Sequence, residues 1–203
     1  MSLKLGIDLE LRGLSLLANA GYLIALHIRF ATPMLTFQTY PQSWIDHYTE
    51  RAYQLRDPIV AWGFSTVGST RWSALTIPDP FGILAEAAAH GLVYGATVAR
   101  GPISSRTIAS MARGDREFED TEIQRFEAVV ERLHAMTEPP ESLTPAQIDA
   151  LRLIAAGDRY AAAAAKLHIS ESALKARLNS ARQRLMARTT AEAIQRAKDY
   201  RLL

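Results

Sequence analysis

Residues 143–187, LTPAQIDALRLIAAGDRYAAAAAKLHISESALKARLNSARQRLMA, restrict the fold more than any other stretch, because they spell out three helices together with their stops. Thr144, Pro145 and Gln147 are a hydroxyl cap, a proline at the first helical position and a capping-box partner, so a helix starts at Pro145 and runs to about Ala156. Ile148, Leu151, Ile154 and Ala155 form its apolar face, and Gly157 suits the left-handed residue that ends it. The run Ala161–Ala165 predicts a second helix whose small side chains let another helix approach closely. After the turn His168-Ile169-Ser170, Ser170 caps a third helix with Leu174, Leu178, Ala181 and Leu185 on one inward stripe. Its outward face then carries Ser172, Lys175, Ala176, Asn179 and Gln183, flanked by Arg177, Arg182 and Arg184. Amides, hydroxyls and cations on an exposed helix suit a DNA major groove, since Arg and Lys meet phosphates or guanine edges and Asn meets adenine. The pattern predicts a helix-turn-helix with a recognition helix; the competing reading is a solvated basic helix in an all-helical bundle.

Beyond the pattern, LTPAQ, the Gly157 stop, HISESALK and the closing AEAIQRAKDYRLL resemble the DNA-binding domain of LuxR-type transcription regulators. The family usually has Glu where Gln147 stands, Ile-Ala where Ala163-Ala164 stand, and Thr-Val where Ala173-Leu174 stand. The resemblance implies double-stranded DNA as a partner, with Ser170, Ser172, Lys175, Arg177, Asn179, Arg182 and Arg184 as candidate contacts.

The charge distribution agrees with that placement. Residues 141–203 carry 11 Lys/Arg against 6 Asp/Glu, and residues 1–140 carry 12 against 15, within a net charge of +2. A basic C-terminal third behind an acidic remainder is expected when only that third meets a polyanion. With 203 residues, 48% of them hydrophobic, the chain can bury a sizeable core in one large or two small domains. No apolar run approaches the roughly 20 residues of a membrane span, and the N-terminus lacks a signal peptide's order, so a cytoplasmic protein without membrane contact is expected. The absence of cysteine excludes disulfides, thiolate metal sites and thiol nucleophiles.

Towards the N-terminus, Ile7–Ala20 reads as a covering helix, its leucines too dense for one narrow face. Gly21 breaks it. Tyr22–Arg29 and Met34–Thr39 read as two strands of a hairpin. His27 and His47 stand alone at no useful ligand spacing, so structural or surface roles are expected and no metal site is read.

In YPQSWIDHYTERAYQLRDP, Pro41 opens a helix and Pro58 sets its end near Arg56. Tyr40, Trp44 and Tyr48 stand four apart on one face, three aromatics able to pave a pocket wall while offering two hydroxyls and an indole N–H. A buried Asp57 after that helix needs a donor, and a ligand amide N–H supplies one. Ordinary core aromatics are the competing reading of the spacing. Tyr40, Trp44, Tyr48, Asp57-Pro58 and Trp72 resemble, in identity and interval, the acyl-homoserine-lactone-binding domain of LuxR-type regulators. The resemblance implies that Trp44 donates to a lactone carbonyl, that Asp57 accepts from the amide N–H, and that Tyr48 donates to the acyl carbonyl. Tyr40 and Trp72 line the pocket, with Ile59 and Val60 near the acyl chain. Trp62 has no counterpart in the family and is read as packing.

SALTIPDPFG reads as loop, Ile83–His90 as an alanine-rich helix, and Leu92–Ala99 and Ser104–Met111 as strands, the latter placing Thr107 nearest the hydroxyl that contacts the amide head in the family. Arg116–Met136 reads as a long helix whose Ile123, Phe126, Val130 and Leu133 form a short seam. The seam can pack on a sheet; in the family this helix joins subunits, and a homodimer matches two half-sites. Thr137–Ser142 is a stiff polar linker, and Thr189 with Glu192 opens a last helix running to Leu203.

The expected architecture is α+β. An α/β/α sandwich with a mostly antiparallel sheet (1–137, ligand-binding) leads through a linker (138–142) to an all-α, four-helix helix-turn-helix domain (143–203). The expected function is a quorum-sensing-type regulator that needs no cofactor beyond a small effector. The alternative is a ligand-independent orphan regulator or an antagonist acting through heterodimers. An enzyme is disfavoured, because the histidines are scattered and no serine sits in a nucleophile elbow.

Overall fold

A computed structural model describes residues 3–29, 32–138, 143–200 and 202–203, the side chains of Leu3 and Lys4 excepted. The chain divides into two compact units, Met1–Glu138 and Pro139–Leu203. Apart from Thr137 and Glu138, the expected linker lies outside the described residues.

The first unit runs α1 (Leu3–Leu17), β1 (Gly21–Ile28), β2 (Leu35–Gln38), α2 (Gln42–Glu50), α3 (Pro58–Ser65), β3 (Gly68–Arg71), α4 (Ile83–Ala89), β4 (Tyr94–Arg100), β5 (Arg106–Arg113) and α5 (Asp120–Met136). The strands form one sheet in the order β2-β1-β5-β4-β3, every neighbouring pair antiparallel. The α+β class and the β1–β2 hairpin are therefore as expected. Because strand side chains alternate faces, Tyr22, Ile24 and Leu26 of β1, Ala96 and Val98 of β4, and Ala109 and Met111 of β5 all join a core closed by α1 and α5. The opposite face meets α2, α3 and α4 and carries the cavity described below.

Four departures from the sequence reading have physical causes. The helix expected to reach Arg56 stops at Glu50; Ala52 takes φ 50° and Tyr53–Leu55 forms a 3-10 turn. That turn buries Tyr53 and lets its hydroxyl donate to Glu86 at 2.7 Å. α3 was unread because PIVAWGFS has hardly any polar face; it is buried at Pro58, Ile59, Trp62 and Gly63. β3, with the sequence GSTR, shows no apolar alternation. Finally, α5 begins at Asp120 rather than Arg116, where Glu119 and Glu122 form a capping box and Glu122 is held by Arg113 and Arg116.

α5 also corrects the expected dimer seam. Ile123, Phe126, Val130 and Leu133 are buried within this one copy, packed with the inner side chains of α1 and the sheet. A two-heptad stripe beside an apolar sheet is used to close the core, so it is not free to join subunits.

Where β1 meets the end of α5, a β-bulge shifts the register between Ala25 and Ile28, and His27 takes φ 51°. His27 thereby turns towards α5. Its Nε2–H donates to the His134 carbonyl (3.0 Å) and to Thr137 Oγ1 (3.1 Å), and Nδ1 accepts from Ser105 Oγ at 2.9 Å. Thr137 Oγ1 can only accept there, because its own proton goes to the Leu133 carbonyl at 2.7 Å. The His27 and His134 rings stack at 4.3 Å. Burial, then the neighbouring His134, lower the His27 pKa from 6.5 to about 4. A base whose pKa is depressed by folding takes up a proton more readily when unfolded, so its contribution to stability falls as pH drops from about 6.5 to about 4. A His27→Asn variant, Asn being tolerant of positive φ, is expected to melt lower than the parent at pH 7 and to show a flatter melting-temperature profile between pH 6.5 and 4. Parallel profiles for the two proteins would show that His27 is not the titrating group.

The second unit is α6 (Pro145–Ala155), α7 (Tyr160–Lys166), α8 (Glu171–Arg184) and α9 (Thr190–Asp199). Thr144 and Gln147 form the expected capping box, Gly157 takes φ 92°, and Ser170 and Thr189 accept from Ala173 N and Glu192 N. Ala163 and Ala164 are buried together with Leu151, Leu174, Leu178, Ala181 and Leu185. Gln147 also donates to Ser180 Oγ at 2.9 Å, tying α6 to α8. α9 ends at Asp199 rather than Leu203.

Candidate functional site

A cavity of about 400 Å³ lies between the sheet face that carries Leu23, Ala25, Ile108 and Ser110 and the cover made by α2, α3 and α4. Tyr40, Trp44, Tyr48, Asp57, Ile59, Val60 and Trp72, all singled out in the sequence, line it. Trp62 does not line it and is buried packing.

Local structure explains how these groups converge. Trp44 and Tyr48 lie one helical turn apart on α2, with their rings edge-on at 5.5 Å. The reversal at Ala52 then brings the chain back, so that Asp57, the N-cap of α3, faces Tyr48. Its Oδ1 accepts from the Ile59 N–H at 2.7 Å and its Oδ2 from the Tyr48 hydroxyl at 2.8 Å. Burial raises the Asp57 pKa above the usual carboxylate range, and those two donors work against the shift. Burial and the nearby carboxylate raise the Tyr40 and Tyr48 phenols, so both keep their protons at neutral pH.

A hydroxyl has one proton to give. Tyr48 gives its proton to Asp57 here, so a ligand carbonyl has to compete with that carboxylate for it. Tyr40 is the opposite case: its hydroxyl is buried and has no hydrogen-bond partner. Among the described residues, no group accepts from the Trp44 indole N–H either. Tyr40 and Trp44, which both line the cavity, thus each carry a donor without an acceptor, and Asp57 keeps lone pairs beyond those used by Tyr48 and Ile59, while Ile59, Val60, Phe64 and Ile108 offer an apolar wall.

Trp72 forms another wall. Its Nε1 donates to Thr97 Oγ1 at 3.0 Å, and Thr97 Oγ1 lies 2.8 Å from Ser110 Oγ. Ser110 lines the cavity and was missed in the sequence. Thr107, expected there, is buried on the other face of the sheet, where its hydroxyl accepts from the His27 N–H at 3.2 Å and lies 2.8 Å from His134 Nδ1. The period of a strand is two, so an assignment off by an odd number of residues selects the wrong face. Knowing the β4–β5 register, which pairs Thr97 with Ser110, would have identified the right hydroxyl.

On α8 of the second unit, Ser172, Lys175, Asn179 and Gln183 are exposed along one face, opposite the buried Leu174, Leu178 and Ala181. Arg177 is half-buried on one flank and Arg184 is exposed beside it. Two of the candidate contacts already have intramolecular roles: Ser170 Oγ caps the helix, and Arg182 donates to the Arg188 carbonyl at 2.6 Å.

Residues 22–138 match the family model described as the autoinducer binding domain. Among solved structures, Escherichia coli SdiA is 19% identical, with 100% of this chain and 92% of that one covered at a TM-score of 0.50. SdiA in complex with octanoyl-rac-glycerol gives 19% identity, coverage of 96% and 88%, and a TM-score of 0.51. The N-acylhomoserine-lactone-dependent LuxR-family transcription factor CepR2 from Burkholderia cenocepacia is 20% identical, with coverage of 63% and 77% and a TM-score of 0.50. At these identities the likeness concerns the fold. No curated protein matches the chain. Among the described residues, no helix is long and apolar enough to cross a membrane.

Proposed function

The chain belongs to the autoinducer-binding domain family, and from that premise we propose that its cavity takes an acyl-homoserine lactone or a similar amide-bearing ligand. In this reading the whole chain is a cytoplasmic quorum-sensing-type transcription regulator that binds DNA as a dimer. The observation that carries the ligand reading is the set of uncommitted polar groups at the cavity wall. Asp57, oriented by Tyr48 and Ile59, accepts the amide N–H. Trp44 donates to the lactone carbonyl and Tyr40, in place of Tyr48, to the acyl carbonyl. Ser110 stands beside the amide head, and the acyl chain runs along Ile59, Val60, Phe64 and Ile108. A ligand that binds only the folded state stabilises it by about 2.7 kcal/mol at a hundred times its dissociation constant.

The fold of the second unit supports a helix-turn-helix reading, with α7 and α8 as its two helices and α8 as the DNA reader. Ser172, Asn179 and Gln183 face base edges, and Lys175, Arg177 and Arg184 face phosphates. Ser170 and Arg182 shape the ends of that helix.

Thermal shift of the purified full chain against a panel of acyl-homoserine lactones tests the first half, and gel-shift titration at two salt concentrations tests the second. At least one lactone is expected to raise the melting temperature. Asn179→Ala is expected to relax base preference, whereas Lys175→Ala weakens all sequences alike and lowers the salt slope by about 1. If no lactone stabilises the protein and the apo form already binds DNA, the ligand-independent regulator replaces this reading.

A further inference from the structure

Among the described residues, α1 has two apolar faces, one buried and one exposed. Ile7, Leu14 and Ala18 are buried against the sheet and α5. About 180° away around the helix, at 100° per residue, stand Leu5, Leu9 and Leu16, which are 51%, 51% and 89% exposed. Arg12 falls within the same stripe and Asp8 on its edge, both exposed. The helix is also tied to α5, where Glu10 receives Arg132 in a two-pronged pair at 2.6 and 2.8 Å.

We propose that this stripe is the contact through which two copies of the chain dimerise, α1 packing antiparallel on the partner's α1 across a twofold axis. The stripe is self-complementary about its midpoint between Glu10 and Leu11. A twofold axis there sets Leu5 opposite the partner's Leu16 and brings the two Leu9 side chains within one turn of each other. Asp8 and Arg12 lie on the same side of the stripe, so the same axis sets Asp8 beside the partner's Arg12, and Arg12 beside the partner's Asp8. Opposite charges thus meet twice. A stable interface buries about 800 Å² per partner, more than one helix face supplies. α5 runs beside α1, and its outward Gln124, Ala128 and Ala135 are exposed and able to extend the contact. The dimer surface is thus displaced from the buried seam of α5 to the outer side of the same helical layer. This rests on the reading of the protein as a dimer, but neither ligand nor DNA enters its test.

Sedimentation velocity of the full chain at micromolar concentration, without ligand or DNA, should give a dimer. Leu9→Glu and Leu16→Glu, both at exposed positions, should weaken the dimer by about a hundredfold and yield folded monomers by circular dichroism. Asp8→Arg alone should weaken it by about tenfold, and Asp8→Arg with Arg12→Asp should restore it. A monomeric parent leaves the stripe to some other partner and overturns the proposal. Leucine variants as dimeric as the parent, or a double exchange no better than the single one, overturn it as well. A monomeric parent that is still stabilised by a lactone sinks this proposal alone and leaves the ligand reading standing.

Discussion

Gly95→Ala is expected to lower the melting temperature of the ligand-binding unit by about 10 °C, taking ~3 kcal/mol for overpacking a filled core and about 3 °C per kcal/mol at this size. The reason is contact rather than backbone freedom. Gly95 is buried in β4, and a Cβ built on it falls 2.0 Å from Trp72 Cδ2 and 2.1 Å from Cε2. Those are ring atoms of a residue that is itself buried and bonded to Thr97, so relief requires the whole indole to move. Moving it breaks the Trp72–Thr97–Ser110 chain and fills or opens the cavity, so ligand binding should be lost even at temperatures where the variant is folded. Differential scanning fluorimetry with and without ligand reads both effects. A variant within about 2 °C of the parent would mean that Trp72 is not seated against this strand.

The second large effect concerns the polar wall. Asp57→Asn retains the shape but replaces a carboxylate that accepts at both oxygens, and a hydrogen bond to a charged group is worth about 1.5–3 kcal/mol, so lactone affinity should fall by roughly ten- to a hundredfold. The two neighbouring tyrosines should then behave differently, although both line the same cavity. Tyr48→Phe removes a donor to Asp57 and so weakens both the apo fold and the binding. Tyr40→Phe removes a buried hydroxyl without a partner, so the apo protein should melt at the same temperature or higher while affinity falls. Isothermal titration paired with apo melting curves separates them. If Tyr40→Phe binds as the parent does while Tyr48→Phe loses binding with its apo stability intact, the acyl carbonyl belongs to Tyr48 after all.

What could be read from the chain alone was what repeats or is capped locally. Thr144 with Gln147, Gly157, Ser170 and Thr189 lay out the four C-terminal helices because capping depends on the few residues around a helix end. Trp44 and Tyr48 could be put on one wall because helical spacing fixes their direction, whereas Tyr40, which precedes the helix starting at Gln42, reaches the same wall through the chain before its N-cap, and Asp57-Pro58 marked a chain break because proline restricts its predecessor. The remaining decisions needed partners distant in sequence. The face of β5 turned to the cavity depends on the antiparallel register with β4, which selected Ser110 and sent Thr107 to the His27–His134 pair. Whether Ile123, Phe126, Val130 and Leu133 meet a second copy or their own sheet depends on what else covers that sheet, and α1 covers only part of it. The direction of the Tyr48 proton depends on the reversal at Ala52, a single left-handed residue that no local pattern announces. Sequence patterning specifies that a face is apolar or a group polar; only the folded chain decides which neighbour satisfies it, because burial and hydrogen bonding depend on every element that competes for the same surface.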